Sequence, residues 1–547
     1  MFDGCAISLR MRDRSHYERA LEAARRDAPP VRPRASAAVV PWRRRHGDLE
    51  VYWIRRSPKL RFMGGFHAFP GGRVGREDGD LPLRGEPRGA ADGPADGALP
   101  ETVLAGVAEL DPPVSPAVVG AALRELFEET GLLVVADAAE LGRDAGDRRQ
   151  LAEARRSLLE EELDLAAWLS ERGLELDATR LCFAGRWVTP ALGPLRFDNR
   201  FFLLEWPEER PVQPEIVPGE IVEGEWIAPA KARRRWRSEG LLTAPPILHI
   251  LEVLAEDGPE GGVDRLRGPY EANLGAYRRV EFRPGVLVFP TATMTLPPAT
   301  HTNVYLLGHG SAVLVDPGDG SGDSIADLSA AVLATANSLG RRVRAIWLTH
   351  HHRDHAAGAA ALRAELGVPL LAHPLTGERL AASGLAIDDI LEDGQRVVLE
   401  GEPRIEIEVL HTPGHARGHL AFLCREGGWT IAGDLVAGFG TIVIDPPEGD
   451  MADYLASLEK LRDLDPGILF PAHGPVLVDG RRALDRYLVH RREREEAIRA
   501  AWASGERNPG AIVPRVYEDL PAVAVPLAER QVLAHLQHLE RNGRLDS

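Results

Sequence analysis

The stretch "LTHHHRDH", Leu348 to His355, places four histidines and one aspartate within six residues, directly after the apolar run "VRAIW". Alternate residues of such a turn can face the same side, so His350 and His352 are expected to share one ion. Asp354 and His355 are then expected to face a neighbouring ion. Because neutral imidazole and carboxylate suit zinc, iron or manganese, the stretch predicts a metal centre at the end of a buried strand.

Three later turns are expected to supply more ligands, since each follows an apolar run and is flanked by Gly or Pro. They contain His415 in "TPGH", Asp434 in "AGDL" and His473 in "PAHGP". A single histidine in a turn is usually solvated surface, but this whole constellation favours a metal site. His351 is expected to line the site rather than bind the ion. Structural or supporting roles are expected for His373, His411 and His419.

Residues 285–480 resemble a metallo-β-lactamase-fold hydrolase, because the motif HxHxDH is followed by His, Asp and His in that order. The resemblance implies an αββα sandwich with two zinc, manganese or iron ions that activate water. It also implies that Asp316, in "LVDPG", is structural rather than ligating. Asp354 would be both a ligand and a catalytic residue. The implied ligands are His350, His352 and His415 for one ion, Asp354, His355 and His473 for the other, and Asp434 between them.

A second charged cluster lies in "AALRELFEETG", where Glu125, Glu128 and Glu129 are spaced to share one helical face. Three adjacent carboxylates repel one another unless a cation lies among them, and an all-oxygen site suits Mg²⁺ or Mn²⁺. Arg124 could brace one of the carboxylates. An ordinary charged helix face is the alternative interpretation.

The full string "RELFEETG", with "FPGG" upstream, resembles the Nudix box of hydrolases that cleave pyrophosphate bonds. Gly71 and Glu77 would open the box. The long spacing from Glu77 to Arg124 resembles the group that includes coenzyme A diphosphatases, and it leaves the ligand role of Glu77 open. The resemblance implies an α/β/α sandwich and catalytic Arg124. It implies Mg²⁺ or Mn²⁺ ligands at Glu128 and Glu129, with Glu125 a ligand or a base.

The chain of 547 residues is too long for one hydrophobic core. Gly, Pro and charged residues dominate 256–284, which is typical of a domain boundary. The stretch "GDLVAGFGTIVID", then "FPAHGPV" and an Arg-rich helix, is similar to a lactamase-like group that includes endoribonucleases and ends in a winged helix. The predicted α/β and α+β multidomain order is an N-terminal tail (1–34), a Nudix domain (35–255), a linker (256–284), a metallo-β-lactamase-fold domain (285–480) and a winged-helix-like domain (481–547).

Composition narrows the classes of function. The net charge of −17 argues against a strongly nucleic-acid-binding surface overall. Residues 481–547 differ, because twelve arginines against ten acidic residues give +2 and leave −19 for the remainder. Three scattered cysteines without a CxxC pair suit a reducing compartment, and no apolar run is long enough for a membrane span. We therefore expect a cytoplasmic protein without a membrane partner, and leave its oligomeric state open.

The two motifs predict a bifunctional hydrolase, and the winged-helix-like tail favours an RNA-like phosphodiester at one site beside a pyrophosphate bond at the other. The first alternative is a thioesterase for acyl-glutathione or acyl-CoA, joined to a Nudix domain that acts on coenzyme A. The second is that one domain is a non-catalytic binding module. The expected partners are a small phosphoanhydride or thioester and, for the first function, single-stranded RNA. In "RRALDRYLVHRRERE" the alternation of Arg and Glu predicts a solvated helix face, with Arg491 and Arg492 as candidate RNA contacts.

Overall fold

The structure is a computed structural model. It describes residues 32–60, 63–90, 114–136, 142, 144–189, 196–268, 280–296, 299–320, 322–518, 520 and 524–545. The predicted N-terminal tail therefore lies almost wholly outside the described residues, as do 91–113 of the insertion and 269–279 of the linker.

The N-terminal half contains one large mixed sheet and a separate two-stranded sheet. Its strands are β1 (Arg34–Arg45), β2 (Asp48–Arg56), β3 (His67–Ala68), β4 (Gly71–Arg73), β5 (Leu83–Arg84), β6 (Leu176–Asp177), β7 (Leu181–Val188), β8 (Phe197–Glu205) and β9 (Ile221–Ile227). Its helices are α1 (Pro116–Thr130), α2 (Ala145–Leu159), α3 (Leu165–Glu171), α4 (Pro229–Glu239), α5 (Pro245–Glu256), α6 (Gly258–Gly261) and α7 (Val263–Arg267).

The main described sheet of this half has the order β3-β2-β1-β8-β7, with β4 paired to β1 and β9 to β2. Strand side chains alternate between faces, so Val39 packs against α1 to α3 while Val40 packs against α4, α5 and α7. Helices thus cover both faces, as in an α/β/α sandwich. Helix α1 begins after the Ser115 cap and ends at Gly131, whose φ of 77° suits glycine.

The C-terminal half has its own set of elements. Its strands are β10 (Val280–Arg283), β11 (Val286–Ala292), β12 (His301–Leu307), β13 (Ser311–Val315), β14 (Arg342–Trp347), β15 (Leu370–Ala372), β16 (Asp389–Ile390), β17 (Arg396–Leu399), β18 (Ile405–His411), β19 (Leu420–Cys424), β20 (Trp429–Gly433) and β21 (Ile468–Pro471). Its helices are α8 (Gly322–Ser338), α9 (Arg353–Ala356), α10 (Ala359–Leu366), α11 (Pro374–Ala382), α12 (Met451–Asp463), α13 (Gly480–Ala503), α14 (Pro509–Val516) and α15 (Val525–Arg541).

Two sheets face each other in this half. Among the described residues one sheet runs β10 to β16 in order and the other runs β17 to β21. Trp347 of the first sheet packs against Phe422 of the second, with ring centroids 5.0 Å apart. Helices α8, α10 and α11 cover the outer face of the first sheet, and α12 and α13 cover that of the second. The expected αββα architecture is therefore present.

Helix α13 begins at Gly480, at the predicted boundary between residues 480 and 481. Its first turns pack Ala483 and Leu484 on the second sheet, whereas Ile498 packs with α14 and α15. The predicted solvated face is wrong for Arg491, whose exposure is 2%. Arg492 is exposed and lies 2.9 Å from Glu459. The described part of the tail consists of helices, and no helix in the described ranges is long and apolar enough to cross a membrane.

The two halves touch each other near the predicted linker. Phe66 packs edge-on against Phe282, with ring centroids 5.5 Å apart, and Leu242 joins the core between the two C-terminal sheets. Trp236 Nε1 donates to the Phe282 carbonyl at 3.2 Å. Side chains of the N-terminal half therefore contribute to the core of the C-terminal half.

Candidate metal centre

Four turns meet at one edge of the paired sheets. The histidine stretch follows β14, and His415 follows β18 by a short turn. Asp434 follows β20 directly, and His473 lies two residues after β21. Because each turn leaves a buried strand, the side chains it carries are held against the core. All seven predicted ligands come together at this edge.

The first group contains His350, His352 and His415, whose ligand atoms lie within 4.8 Å of one another. Nδ1 of His352 is 2.9 Å from Nε2 of His350 and 2.9 Å from Nε2 of His415. Burial, followed by the neighbouring histidines, lowers the pKa of both His350 and His352 well below the ordinary value. Both imidazoles are therefore neutral at pH 7, which is the form that binds a metal ion.

The second group contains Asp354, His355 and His473, again within 4.8 Å. Nε2 of His473 is 3.5 Å from Asp354 Oδ2. Asp434 lies between the two groups, because its Oδ2 is 3.4 Å from His415 Nε2 and its Oδ1 is 3.4 Å from His473 Nε2. A third close group, formed by His350, His355 and Asp434, links them. The arrangement suits a carboxylate that bridges two ions.

The donor atoms fit a pair of divalent cations. Nε2 of His355 and Oδ1 of Asp434 are both buried and have no hydrogen-bond partner among the described residues. Such groups are costly to bury unless an ion satisfies them. Burial lowers the pKa of His355, but Asp434 and Asp354 outweigh it and raise the pKa well above the ordinary value. The site therefore has a negative field suited to cations.

Buried partners fix the other nitrogen of several imidazoles. Nδ1 of His415 is 2.7 Å from the Val443 carbonyl, and Nδ1 of His473 is 3.0 Å from the His301 carbonyl. In each case Nδ1–H donates to a carbonyl, so in the neutral ring Nε2 carries the lone pair that a metal ion binds. Nδ1 of His355 is 2.9 Å from Asp316.

The remaining histidines do not join the three close groups. His419 is buried, and its Nε2 accepts from the Asp434 backbone N–H at 3.0 Å, so it supports a predicted ligand. His373 and His411 stack with ring centroids 4.2 Å apart. His351 is half-buried beside His352, at a ring distance of 4.9 Å.

The glutamate cluster has a different geometry, because Arg124 occupies its centre. Nη1 of Arg124 donates to Glu125 at 3.0 Å and to Glu128 at 2.9 Å. Glu129 instead accepts from the Gly71 backbone N–H at 2.8 Å. Among the described residues these three carboxylates do not form a close ligand group like those at the histidine site. In this structure the guanidinium therefore compensates the charges of Glu125 and Glu128.

Asp78 is a site residue that the sequence interpretation missed. It is fully buried and receives Nε and Nη2 of Arg124 at 2.6 and 3.1 Å, whereas Glu77 beside it is exposed. Asp78 stands in the same relation to Gly72 as Glu77 does to Gly71, so counting from the second glycine would have found it. Burial raises the pKa of Glu125 to about 7, against the opposing effect of Arg124.

Comparison with known proteins agrees with the histidine site. The metallo-beta-lactamase superfamily model matches residues 297–473, which include all seven predicted ligands. The beta-lactamase associated winged helix domain matches residues 509–547.

Two relatives match the C-terminal half. A beta-lactamase-like protein 2 homolog from Drosophila melanogaster is 31% identical over 255 residues, which cover 45% of this chain and 84% of the relative. The homolog from Caenorhabditis elegans is 29% identical over 248 residues, covering 45% and 81%. The chain belongs to the metallo-beta-lactamase superfamily and is a metal-dependent hydrolase. Within that superfamily it is similar to these beta-lactamase-like protein 2 homologues.

A solved structure is also similar to part of this chain. It is a NUDIX hydrolase from Alicyclobacillus acidocaldarius, 30% identical to this chain. The match covers 41% of this chain and 92% of that one, with a TM-score of 0.32.

Proposed function

We propose that the C-terminal half hydrolyses a phosphodiester bond of an RNA-like substrate with two bound divalent cations. The observation that carries this proposal is the convergence of seven histidine and aspartate side chains, two of which have buried atoms without a hydrogen-bond partner among the described residues. In the proposed assignment one ion is held by His350, His352 and His415 and the other by Asp354, His355 and His473, with Asp434 shared.

When bound, two divalent cations supply an activated water nucleophile and stabilise charge on the reacting group. The protein's own part is to hold the ligands rigidly. His419 orients Asp434 through a backbone N–H, and Asp316 fixes His355 through Nδ1. Four of the seven side chains are buried and three are half-buried, and the low local dielectric strengthens these electrostatic interactions.

The winged-helix match supports a phosphodiester over a thioester, because helix-turn-helix modules are built to dock on nucleic acids. The tail arginines offer less support than their number suggests. Arg491 is buried, and Arg492 and Arg515 lie within 3 Å of acidic side chains. Arg482 and Arg486 are exposed one helical turn apart, without an acidic partner among the described residues. These two are the proposed phosphate contacts on α13.

We further propose that the N-terminal half hydrolyses a pyrophosphate bond with Mg²⁺ or Mn²⁺. The proposal assigns Glu128 and Glu129 as ligands and Glu125 as a ligand or base, on the motif and on their shared face of α1. Binding of the ion would require Arg124 to give up its hydrogen bonds to Glu125 and Glu128 while keeping those to Asp78. The bidentate pair with Asp78 would then anchor the guanidinium beside the ion.

A substrate panel on the full chain tests both assignments. Labelled single-stranded RNA, acyl-glutathione, acyl-CoA, free coenzyme A and a nucleoside diphosphate derivative are each incubated with the metal-loaded protein. The expected result is RNA cleavage that is lost in Asp434→Ala, and pyrophosphate cleavage that is lost in Glu128→Gln. Cleavage of the thioesters with no action on RNA would overturn the phosphodiester assignment.

A further inference from the structure

The segment from Thr441 to Asp450, here the 441–450 loop, lies between Asp434 and helix α12. Its Val443 carbonyl is the acceptor for Nδ1 of His415, at 2.7 Å. The position of this carbonyl therefore sets the orientation of the His415 ring. Whatever holds the loop also sets the direction in which Nε2 points.

The C-terminal helices hold this loop. Arg491 on α13 donates from Nη2 to the Ile442 carbonyl and to Thr441 Oγ1, the latter at 2.7 Å. Gln531 on α15 donates to the same Ile442 carbonyl at 2.9 Å. The two acceptor oxygens, Thr441 Oγ1 and the Ile442 carbonyl, therefore belong to the two residues that precede Val443.

The far end of the loop is held from α15 as well. Arg530 bonds to Asp445 and to the Pro446 carbonyl. Nη1 of Arg541 lies 2.7 Å from Asp450, the residue that caps α12. Side chains of the tail therefore bind the loop on both sides of Val443.

Arg491 also supports the neighbourhood of a second predicted ligand. Its guanidinium carbon lies 5.1 Å from the ring centroid of Tyr454, and the Tyr454 hydroxyl donates to the Leu435 carbonyl at 2.9 Å. Leu435 directly follows Asp434. The Arg491 side chain is buried, and no carboxylate among the described residues pairs with it. The loop oxygens and the Tyr454 ring compensate its charge instead. Burying a charged guanidinium costs free energy unless such partners remain in position.

We propose that Arg491 and Gln531 are positioning residues of the metal centre, which makes the winged-helix tail a structural part of the hydrolase site. This inference rests on the proposed function of His415 as a ligand. It assigns the tail a role in ordering the ion held by His350, His352 and His415. The second ion, held by Asp354, His355 and His473, has no ligand hydrogen-bonded to the 441–450 loop.

The test is a titration of metal-free full-length protein with Co²⁺, followed by the visible absorption of the bound ion, and with Zn²⁺ in competition with a chelator. The variants are Arg491→Met and Gln531→Met, each close in length to the original side chain. The controls are Arg492→Met, which alters an exposed neighbour on α13, and Gln537→Met, which alters a half-buried residue on α15.

Both variants are expected to weaken one of the two ions about 10-fold or more, in line with the loss of a partner that orients a ligand. In Gln531→Met the other ion should bind as in the unaltered protein, and both controls should bind both ions unchanged. The more conservative Gln531→Met removes a single hydrogen bond, so it keeps the test decisive if Arg491→Met does not fold. Two unchanged affinities and an unchanged Co²⁺ spectrum in folded Gln531→Met would overturn the inference alone. Failure of the unaltered protein to bind two ions would overturn the proposed function as well.

Discussion

Nδ1 of His355 lies 2.9 Å from Oδ2 of Asp316, and both side chains are buried. The same carboxylate accepts from the backbone N–H of Thr349 at 2.8 Å and from its hydroxyl at 2.7 Å. Asp316 thus joins the end of β13 to the histidine stretch after β14. One carboxylate fixes both the start of the turn and the ring of a predicted ligand.

Replacing Asp316 by Asn removes the charge and one acceptor from this arrangement. We expect affinity for the ion bound by His355 to fall about 10- to 100-fold, since partners that orient ligands have effects of that size. Zinc competition against a chelator measures it. Asp388→Asn is the control, because Asp388 also accepts from a backbone N–H, that of Leu370 at the start of β15, and has no hydrogen bond to a predicted ligand among the described residues. Equal losses in both variants would contradict the specific role.

Asp434→Ala should separate the two activities. Removing the shared carboxylate is expected to reduce cleavage at the histidine site about 10³-fold or more, because metal-assisted charge stabilisation contributes several kcal/mol. Pyrophosphate cleavage should stay unchanged, since Glu125, Glu128 and Glu129 belong to α1 in the other half. Parallel assays of RNA and coenzyme A cleavage decide it. Loss of both activities in a folded variant would show that the sites depend on each other.

Glu128→Gln and Glu77→Gln form a matched pair in the N-terminal half. The first change removes a charge from the proposed cation site and should slow pyrophosphate hydrolysis ~10²-fold. The second alters an exposed side chain and should have almost no effect, since exposed charges contribute about 0–1 kcal/mol. Initial rates are compared while Mg²⁺ is titrated. The reverse ranking would make Glu77, rather than Glu128, the ligand.

His67 should make the N-terminal half sensitive to acid. Burial, followed by Arg55 and Arg235, lowers its pKa from 6.5 to about 4. The unfolded chain therefore binds more protons between these values, so stability falls as pH drops below 6.5 and the loss is complete near 4. At pH 5 the loss is about 2 kcal/mol.

We expect His67→Phe, which retains a ring against Trp53, to lose less stability between pH 7 and pH 5 than the unaltered protein. Urea unfolding at the two pH values, followed by circular dichroism, measures the difference. His46→Phe, at the exposed turn between β1 and β2, serves as the control. Identical pH dependence in all three proteins would contradict the prediction.

The histidine site could be predicted because each ligand directly follows or closely trails an apolar strand, so local sequence indicated both its type and its position. The same spacing logic placed three glutamates on one face of α1. The spacing could not show that Arg124 bonds to Glu125 and Glu128. The position of Arg124 depends on Asp78, which comes from another segment of the chain.

Arg491 shows a second limit of prediction from the sequence, because its burial could not be predicted from the local pattern. The alternation of Arg and Glu in "RREREE" has the pattern of a solvated helix face, and the neighbouring Arg492 is indeed exposed. Burial of Arg491 depends on α15 and on the 441–450 loop, which lie far from it in the chain. Periodicity reports which residues share a face, but not which face another element will cover.

The contacts between the tail and the 441–450 loop have a consequence for the order in which the site is completed during synthesis on the ribosome. Gln531 follows Ile442 by 89 residues, and Arg491 follows it by 49. The sheets and all seven predicted ligands are therefore translated before these side chains, and the last ligand, His473, precedes Gln531 by 58 residues. A nascent chain interrupted between these points would carry every ligand but lack the Gln531 contact to the 441–450 loop, so the orientation of His415 would be complete only after α15 has emerged.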